Sequence, residues 1–186
     1  MTLMELQPGD RILELGCGNG WVCRQLAGHI PEGIVIGLDL SDEHIRDARA
    51  KSTSFENVLY LWSVAEQIPW QEDFFTRVVC VDSIRYFQDW DKVFRETYRV
   101  LVPGGTFWIL DKTRRGDGGS EKSPSERTTP VRLFTLEEYV ARLRQCEYED
   151  VSSYSLQNSS PGAPSGGGNS STPGGAMLLS ARKPQM

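Results

Sequence analysis

One stretch constrains this chain more than any other: Arg11-Ile12-Leu13-Glu14-Leu15-Gly16-Cys17-Gly18-Asn19-Gly20. An apolar run with an acid inside it stops at three glycines, each separated from the next by one residue. The apolar part reads as a buried parallel strand. The glycines read as a tight turn that lets backbone come close to a ligand. Trp21 to Ala27 then reads as a short helix whose first N–H groups face the turn. Together these parts form a nucleotide-type site. The plainer alternative is a glycine-rich turn that binds nothing.

The spacing narrows the ligand. A dinucleotide site wants G-x-G-x-x-G. Here the pattern is Gly16-x-Gly18-x-Gly20, one residue shorter, with Glu14 two residues before the first glycine. A carboxylate near the turn repels a pyrophosphate and suits a ligand carrying an ammonium or sulfonium group.

The rest of the chain alternates strand and helix. A second strand, Gly33 to Leu40, ends in Asp39, where a carboxylate can accept bonds from both ribose hydroxyls. Ser41 caps the helix that follows, with Asp42 and Glu43 in its first turn, so Asp39 is expected to be free for another task. A third strand, Asn57 to Trp62, leads into Ala65-Glu66-Gln67-Ile68-Pro69-Trp70. Arg77 to Ser83 reads as a fourth strand. A helix from about Asp89 to Leu101 is expected to stop at Pro103-Gly104-Gly105, before a fifth strand at Thr106 to Leu110. Thr135-Leu136-Glu137-Glu138 is a capping box that starts a last helix. Glu149 to Gln157 and Ala176 to Lys183 read as sixth and seventh strands. The expected fold is α/β: a single domain over residues 1–186, with a doubly wound, mostly parallel seven-stranded sheet and one antiparallel strand. Ligands in such sheets bind at the carboxyl ends of the strands, where Glu14, Asp39, Glu66 and Asp82 all fall.

Composition excludes several partners. The chain of 186 residues fits one domain, and its net charge of -5 gives no reason to expect nucleic acid or an anionic membrane surface. No apolar run approaches membrane-spanning length. The start, Met1 to Glu5, lacks the features of a signal peptide, so a cytoplasmic location is expected. Cys17, Cys23, Cys80 and Cys146 form no C-x-x-C pair and no ligand-spaced cluster with His29 or His44, which argues against a metal site. Cys17 lies inside the turn, but no basic group is placed to make it a nucleophile, and a small packed residue is the simpler reading.

Two segments stand apart. Residues 112–130 form a polar stretch of slightly positive balance, read as a solvated loop with an acidic-substrate patch as the lesser alternative. Between the last two strands lies Asn158 to Gly175, in which 14 of 18 residues are Gly, Ser or Pro. That is the composition of a flexible loop, natural or engineered, with no side chains able to build a pocket.

Four segments agree in order and spacing with a known family. Glu14 to Gly20 resembles the family's first motif, E/D-x-G-x-G-x-G. Asp39 is similar to its ribose acid. Ala65 to Trp70 is similar to A-E-x-L-P-F, and Arg99-Val100-Leu101-Val102-Pro103-Gly104-Gly105 to R-V-L-K-P-G-G. Together, over about residues 8 to 112, they resemble the small-molecule "type 11" class I S-adenosylmethionine-dependent methyltransferases. The resemblance implies that Gly16, Gly18, Asn19 and Gly20 approach the methionine part of the cofactor, with Glu14 near its ammonium group. It implies ribose contacts from Asp39, adenine cover from Leu40, and an adenine edge met by Ala65 with Glu66 beside it. Asp82 would line the methyl-transfer face and Tyr86 the acceptor. The chain departs from the family at Val64, where Asp or Ser often reads the adenine amino group. It also has only about ten residues before the first strand, where the family usually carries covering helices.

The function expected is methyl transfer from S-adenosylmethionine to a small-molecule acceptor, with Asp82 the candidate general base where the acceptor is protonated. Turnover is expected to be slow, because little of the chain remains to roof the acceptor. One rival is a non-catalytic or degenerate cofactor-binding core that works with a partner. The other is a nicotinamide dehydrogenase, against which the short glycine spacing and Glu14 both argue.

Overall fold

The first strand, β1 (Arg11–Leu15), sits at the centre of the molecule because almost nothing in it can face water. The computed structural model describes residues 4–112, 134–156 and 176–185. Its other elements follow in chain order: α1 (Trp21–Ala27), β2 (Ile34–Asp39), α2 (Asp42–Lys51), β3 (Val58–Trp62) and β4 (Phe75–Val81). After a 3-10 turn at Ile84–Tyr86 come α3 (Trp90–Val100), β5 (Leu101–Lys112), α4 (Leu136–Gln145), β6 (Glu149–Leu156) and β7 (Ala176–Arg182). The seven strands form one sheet in the order β3-β2-β1-β4-β5-β7-β6. β7 runs antiparallel to both neighbours, β5 and β6, while the pairs among β1 to β5 are parallel. This is the doubly wound sheet with one antiparallel strand that the alternating pattern predicts.

Side-chain alternation along β1 divides the core. Ile12 faces α1 and α2, in a cluster with Cys23, Leu26, Val35, Ile45, Ala48 and Tyr60. Leu13 and Leu15 face α3 and α4, with Ile36, Val78, Phe94, Phe107 and Tyr139. Burying each large side chain is worth roughly 1.5–3 kcal/mol. The helix starts follow their sequence signals. Ser41 caps α2 by accepting from His44 N at 3.2 Å, and Asp89 caps α3 by accepting from Lys92 N at 3.1 Å. Thr135 and Glu138 make the reciprocal capping box of α4.

The boundary between α3 and β5 differs from the sequence reading. The helix ends at Val100, and the strand begins at once with Leu101 instead of at Thr106. Pro103-Gly104-Gly105 therefore lies inside the strand. Gly104, at φ 78, bends the chain there. Its N–H donates to Lys183 O at 2.9 Å, and Lys183 N–H donates back to Gly105 O at 2.9 Å. Pairing with the chain after β7 thus keeps this segment extended, and a register shift between Phe75 and Arg77 on β4 absorbs the irregularity. Arg99 has a role beyond the helix. Its guanidinium donates to Trp70 O at 2.8 Å and Ile68 O at 3.0 Å, while Glu96 beside it accepts from Ile68 N at 2.9 Å. These bonds pin the Ala65–Trp70 loop to the last turns of α3. The polar stretch after Lys112 and the segment 158–175 lie outside the described residues.

Candidate functional site

The glycines are required by backbone shape. Gly16, Gly18 and Gly20 all have positive φ, at 68, 52 and 73°, where a side chain is strained. The turn folds back on β2: Gly16 N and Cys17 N both donate to Leu38 O, at 2.7 and 3.0 Å. Asp39 then locks it. Its Oδ2 accepts from Gly18 N at 2.8 Å, and its Oδ1 accepts from Ser41 N at 2.9 Å with His44 Nδ1 at 3.3 Å. Ser41 caps α2, as expected, and Asp39, which that capping leaves free for another task, ties the glycine turn to the start of the helix. A carboxylate accepts about four hydrogen bonds, so capacity remains for a ligand.

Glu14 points beneath the turn, toward α1. It is 2% exposed, and the Cys23 thiol donates to its Oε2 at 2.8 Å. Burial pushes its carboxyl up to about 8, against the opposing pull of the Cys23 thiol and backbone amide; Asp39 nearby adds to the rise.

The carboxyl ends of β2 and β3 carry an exposed apolar surface. Leu40 is 67% and Trp62 66% exposed, and Trp62 Nε1 donates to Leu40 O at 2.7 Å, joining the two strand ends. Val64, two residues after Trp62, is also exposed, and Ala65 is buried. Glu66 turns away to accept from Gln88 N at 3.0 Å and Asp89 N at 3.4 Å. It thereby couples this loop to the start of α3.

At the end of β4, Asp82 has φ 51, an uncommon backbone shape for a residue other than glycine, and a side chain 65% exposed. Ser83 Oγ donates to Gly16 O at 2.8 Å, so this strand end and the glycine turn are held together. Arg85 approaches Asp82 at 3.5 Å, pairs with the buried Asp111, and lies 5.1 Å from the centre of the Tyr86 ring. The structure thus gathers Gly16 to Gly20, Asp39, Leu40, Ala65, Asp82 and Tyr86 along one edge of the sheet, with Glu14 underneath.

Several contributors are not readable from motifs. Arg24 Nη1 donates to Asn19 O at 2.8 Å, Tyr60 Oη donates to Gly20 O at 3.4 Å, and Cys23 meets Glu14. Only the alternation placing Tyr60 and Cys23 on the same face could have hinted at them. Among the described residues no group of three or more His, Cys, Asp or Glu is placed to hold a metal ion, and no helix is long and apolar enough to cross a membrane.

A doubly wound sheet with a G-x-G-x-G turn after β1 and an acid closing β2 defines a nucleotide-type binding fold of the methyltransferase kind. Residues 13–109 match the family described as a methyltransferase domain, and the chain belongs to this family of class I S-adenosylmethionine-dependent methyltransferases. It is similar to a demethylmenaquinone methyltransferase of Listeria monocytogenes, 34% identical over 117 residues, covering 61% of this chain and 49% of that protein. A 27-O-demethylrifamycin SV methyltransferase of Amycolatopsis mediterranei is 28% identical over 165 residues, 82% of this chain and 60% of that one. The chain thus spans about half to three-fifths of the length of these relatives. In fold it is similar to a methyltransferase from Haloferax volcanii, solved in complex with the Trm112 methyltransferase activator: TM-score 0.82, 21% identity, 98% of this chain and 85% of that one.

Proposed function

We propose that the chain is a methyltransferase core that carries a methyl group from S-adenosylmethionine to a small-molecule acceptor by in-line displacement. The observation that supports this best is the position of Asp39, clamped between Gly18 and Ser41 with Leu40 exposed beside it. In this reading Asp39 accepts from the ribose hydroxyls, Leu40 covers one face of the adenine, and the backbone at Ala65 meets its edge, with Glu66 securing that loop. Gly16, Gly18, Asn19 and Gly20 pass close to the methionine part, and Glu14 lies beneath them, where a bound ammonium group would favour its charged form over the neutral form that burial favours in the free chain. The cationic character of the cofactor fits a site flanked by two acids, the buried Glu14 and the partly exposed Asp39.

When bound, the cofactor supplies an already activated sulfonium methyl. The chain's residues then mainly orient and desolvate. Tyr86, braced by Arg85, forms the floor on which the acceptor rests. Asp82 is the group best exposed to take a proton from a protonated acceptor. The four free thiols support a reducing, cytoplasmic setting.

The Haloferax protein's complex with an activator favours a second reading, a cofactor-binding core that depends on a partner. One experiment separates the readings: calorimetric titration with S-adenosylmethionine, S-adenosylhomocysteine and NADH, followed by transfer of labelled methyl to a metabolite panel. Binding of the two sulfur ligands but not NADH, with transfer to an acceptor, is expected. Binding without transfer to any acceptor selects the partner-dependent core, and absence of binding rejects both.

A further inference from the structure

The third glycine of the turn is held by side chains that no motif contains. α1 begins at Gly20 without a side-chain cap. Instead, a file of donors reaches the turn from two other elements. Arg24 Nη1 donates to Asn19 O at 2.8 Å and lies 3.4 Å from Ser52 Oγ. Ser52, the residue that ends α2, has its Oγ 2.8 Å from Tyr60 Oη, and Tyr60 Oη donates onward to Gly20 O at 3.4 Å. One proton arrangement satisfies all of these contacts: guanidinium to serine, serine to tyrosine, tyrosine to the glycine carbonyl. Starting the file at a charged donor polarises each hydroxyl and strengthens the next bond. The fit is close, because a Cβ at Gly20 would collide with the Tyr60 hydroxyl.

Packing carries the tyrosine to the turn: Tyr60 is 5% exposed, in the cluster that faces α1 and α2. Arg49 holds the strand beneath it by donating to the Tyr60 backbone carbonyl at 2.8 Å.

We propose that Tyr60 and Ser52 are positioning residues for cofactor binding: their hydroxyls set the Asn19–Gly20 segment at the height the ligand requires. The proposal rests on the reading of the glycine turn as the cofactor site. Neither residue touches the ligand; both act through the turn. The brace also links the turn to the C-terminal end of α2 and to β3, the strand that leads into the adenine loop, so both halves of the cofactor bed share one support.

The test compares wild type with Tyr60→Phe and Ser52→Ala, using S-adenosylhomocysteine as the probe. Tyr60→Phe keeps the ring and removes only the hydroxyl. Loss of one hydrogen bond predicts a Kd raised roughly five- to ten-fold. Ser52→Ala should move in the same direction, and the double variant should be little worse than either single one, because the bonds form one file. Amide hydrogen exchange supplies the readout that a general loss of stability would not mimic. Residues 19–21 should exchange faster in both variants, while amides in β1 and β4 keep the wild-type rate. Kd within about two-fold of wild type with unchanged exchange at residues 19–21 overturns the proposal, as does uniform acceleration of all amides. Absence of S-adenosylhomocysteine binding in wild type overturns the cofactor reading instead, and the exchange comparison still decides whether the hydroxyls hold the turn.

Discussion

The thiol of Cys23 donates to Oε2 of Glu14 across 2.8 Å in the interior between β1 and α1. A carboxyl in that position is easier to keep neutral than charged, and burial pushes its pKa up to about 8 from the ordinary 4.5. The folded state therefore holds a proton that the unfolded chain releases near pH 4.5. The resulting stability is fully present below that pH and drains away as pH rises toward 8. Over the whole window the contribution is on the order of 5 kcal/mol. Glu14→Gln, neutral throughout, should show a flatter profile and overtake wild type in stability at alkaline pH. Denaturant unfolding at pH 5.5, 7 and 8.5 checks this; parallel curves for the two proteins would refute it.

Asp39 carries a second prediction, and the structure changes it. On the sequence alone, Asp39→Ala should weaken cofactor binding much more than folding. Because the carboxylate accepts from both Gly18 N and Ser41 N, its loss also frees two backbone donors. Asp39→Ala is expected to lose roughly 1–3 kcal/mol of folding stability besides its ligand affinity. Asp39→Asn keeps one carbonyl oxygen and should recover part of the stability but little of the ribose affinity. Equal stability of Asp39→Ala and wild type in urea unfolding would show that the two tethers contribute nothing.

These two acids illustrate what the sequence makes legible. Glycine spacing, strand-end acids and caps are local signals, and each marks its element or turn. The partners of Glu14 and Asp39 depend on which atoms the sheet brings face to face, and no local pattern encodes that. Tyr60 is the same case: its alternation places it on the α1 side, but only the packed structure sets its hydroxyl beside Gly20. The start of β5 fails for a related reason. Pro103-Gly104-Gly105 looks like a helix stop followed by a turn, yet a tertiary partner, Lys183, draws it into β5.

Arg85 and Asp111 give a third prediction. Asp111 is 1% exposed and faces the Arg85 guanidinium at the end of the sheet. Removing the cation while leaving the buried carboxylate is costly, typically about 3–5 kcal/mol. Arg85→Met should therefore be strongly destabilising, and Arg85→Met combined with Asp111→Leu should recover most of the loss. Thermal unfolding of the two variants decides it. A double variant as unstable as the single one would mean that the pair is not what sets the cost.

The last prediction concerns Val64. It follows β3, it is exposed, and in the chain it lies between the exposed Trp62 and the buried Ala65. Its carbonyl accepts from Gln67 N at 3.3 Å, so the backbone here is already shaped as a turn and does not depend on the side chain. In the proposed cofactor pose this position faces the adenine edge, where an apolar residue offers the exocyclic amino group no acceptor. Val64→Asp supplies one. The substitution loses little buried surface, so the fold should tolerate it. A hydrogen bond from the amino group to a charged acceptor contributes about 1.5–3 kcal/mol. S-adenosylhomocysteine should therefore bind the variant roughly ten-fold more tightly than wild type. The control is S-inosylhomocysteine, whose ring has an oxygen in place of that amino group. It should gain nothing, or bind more weakly by repulsion between oxygen and carboxylate. A tightening shared equally by both ligands would reflect general electrostatics. Unchanged or weaker binding of S-adenosylhomocysteine in a folded Val64→Asp protein would show that this loop does not face adenine.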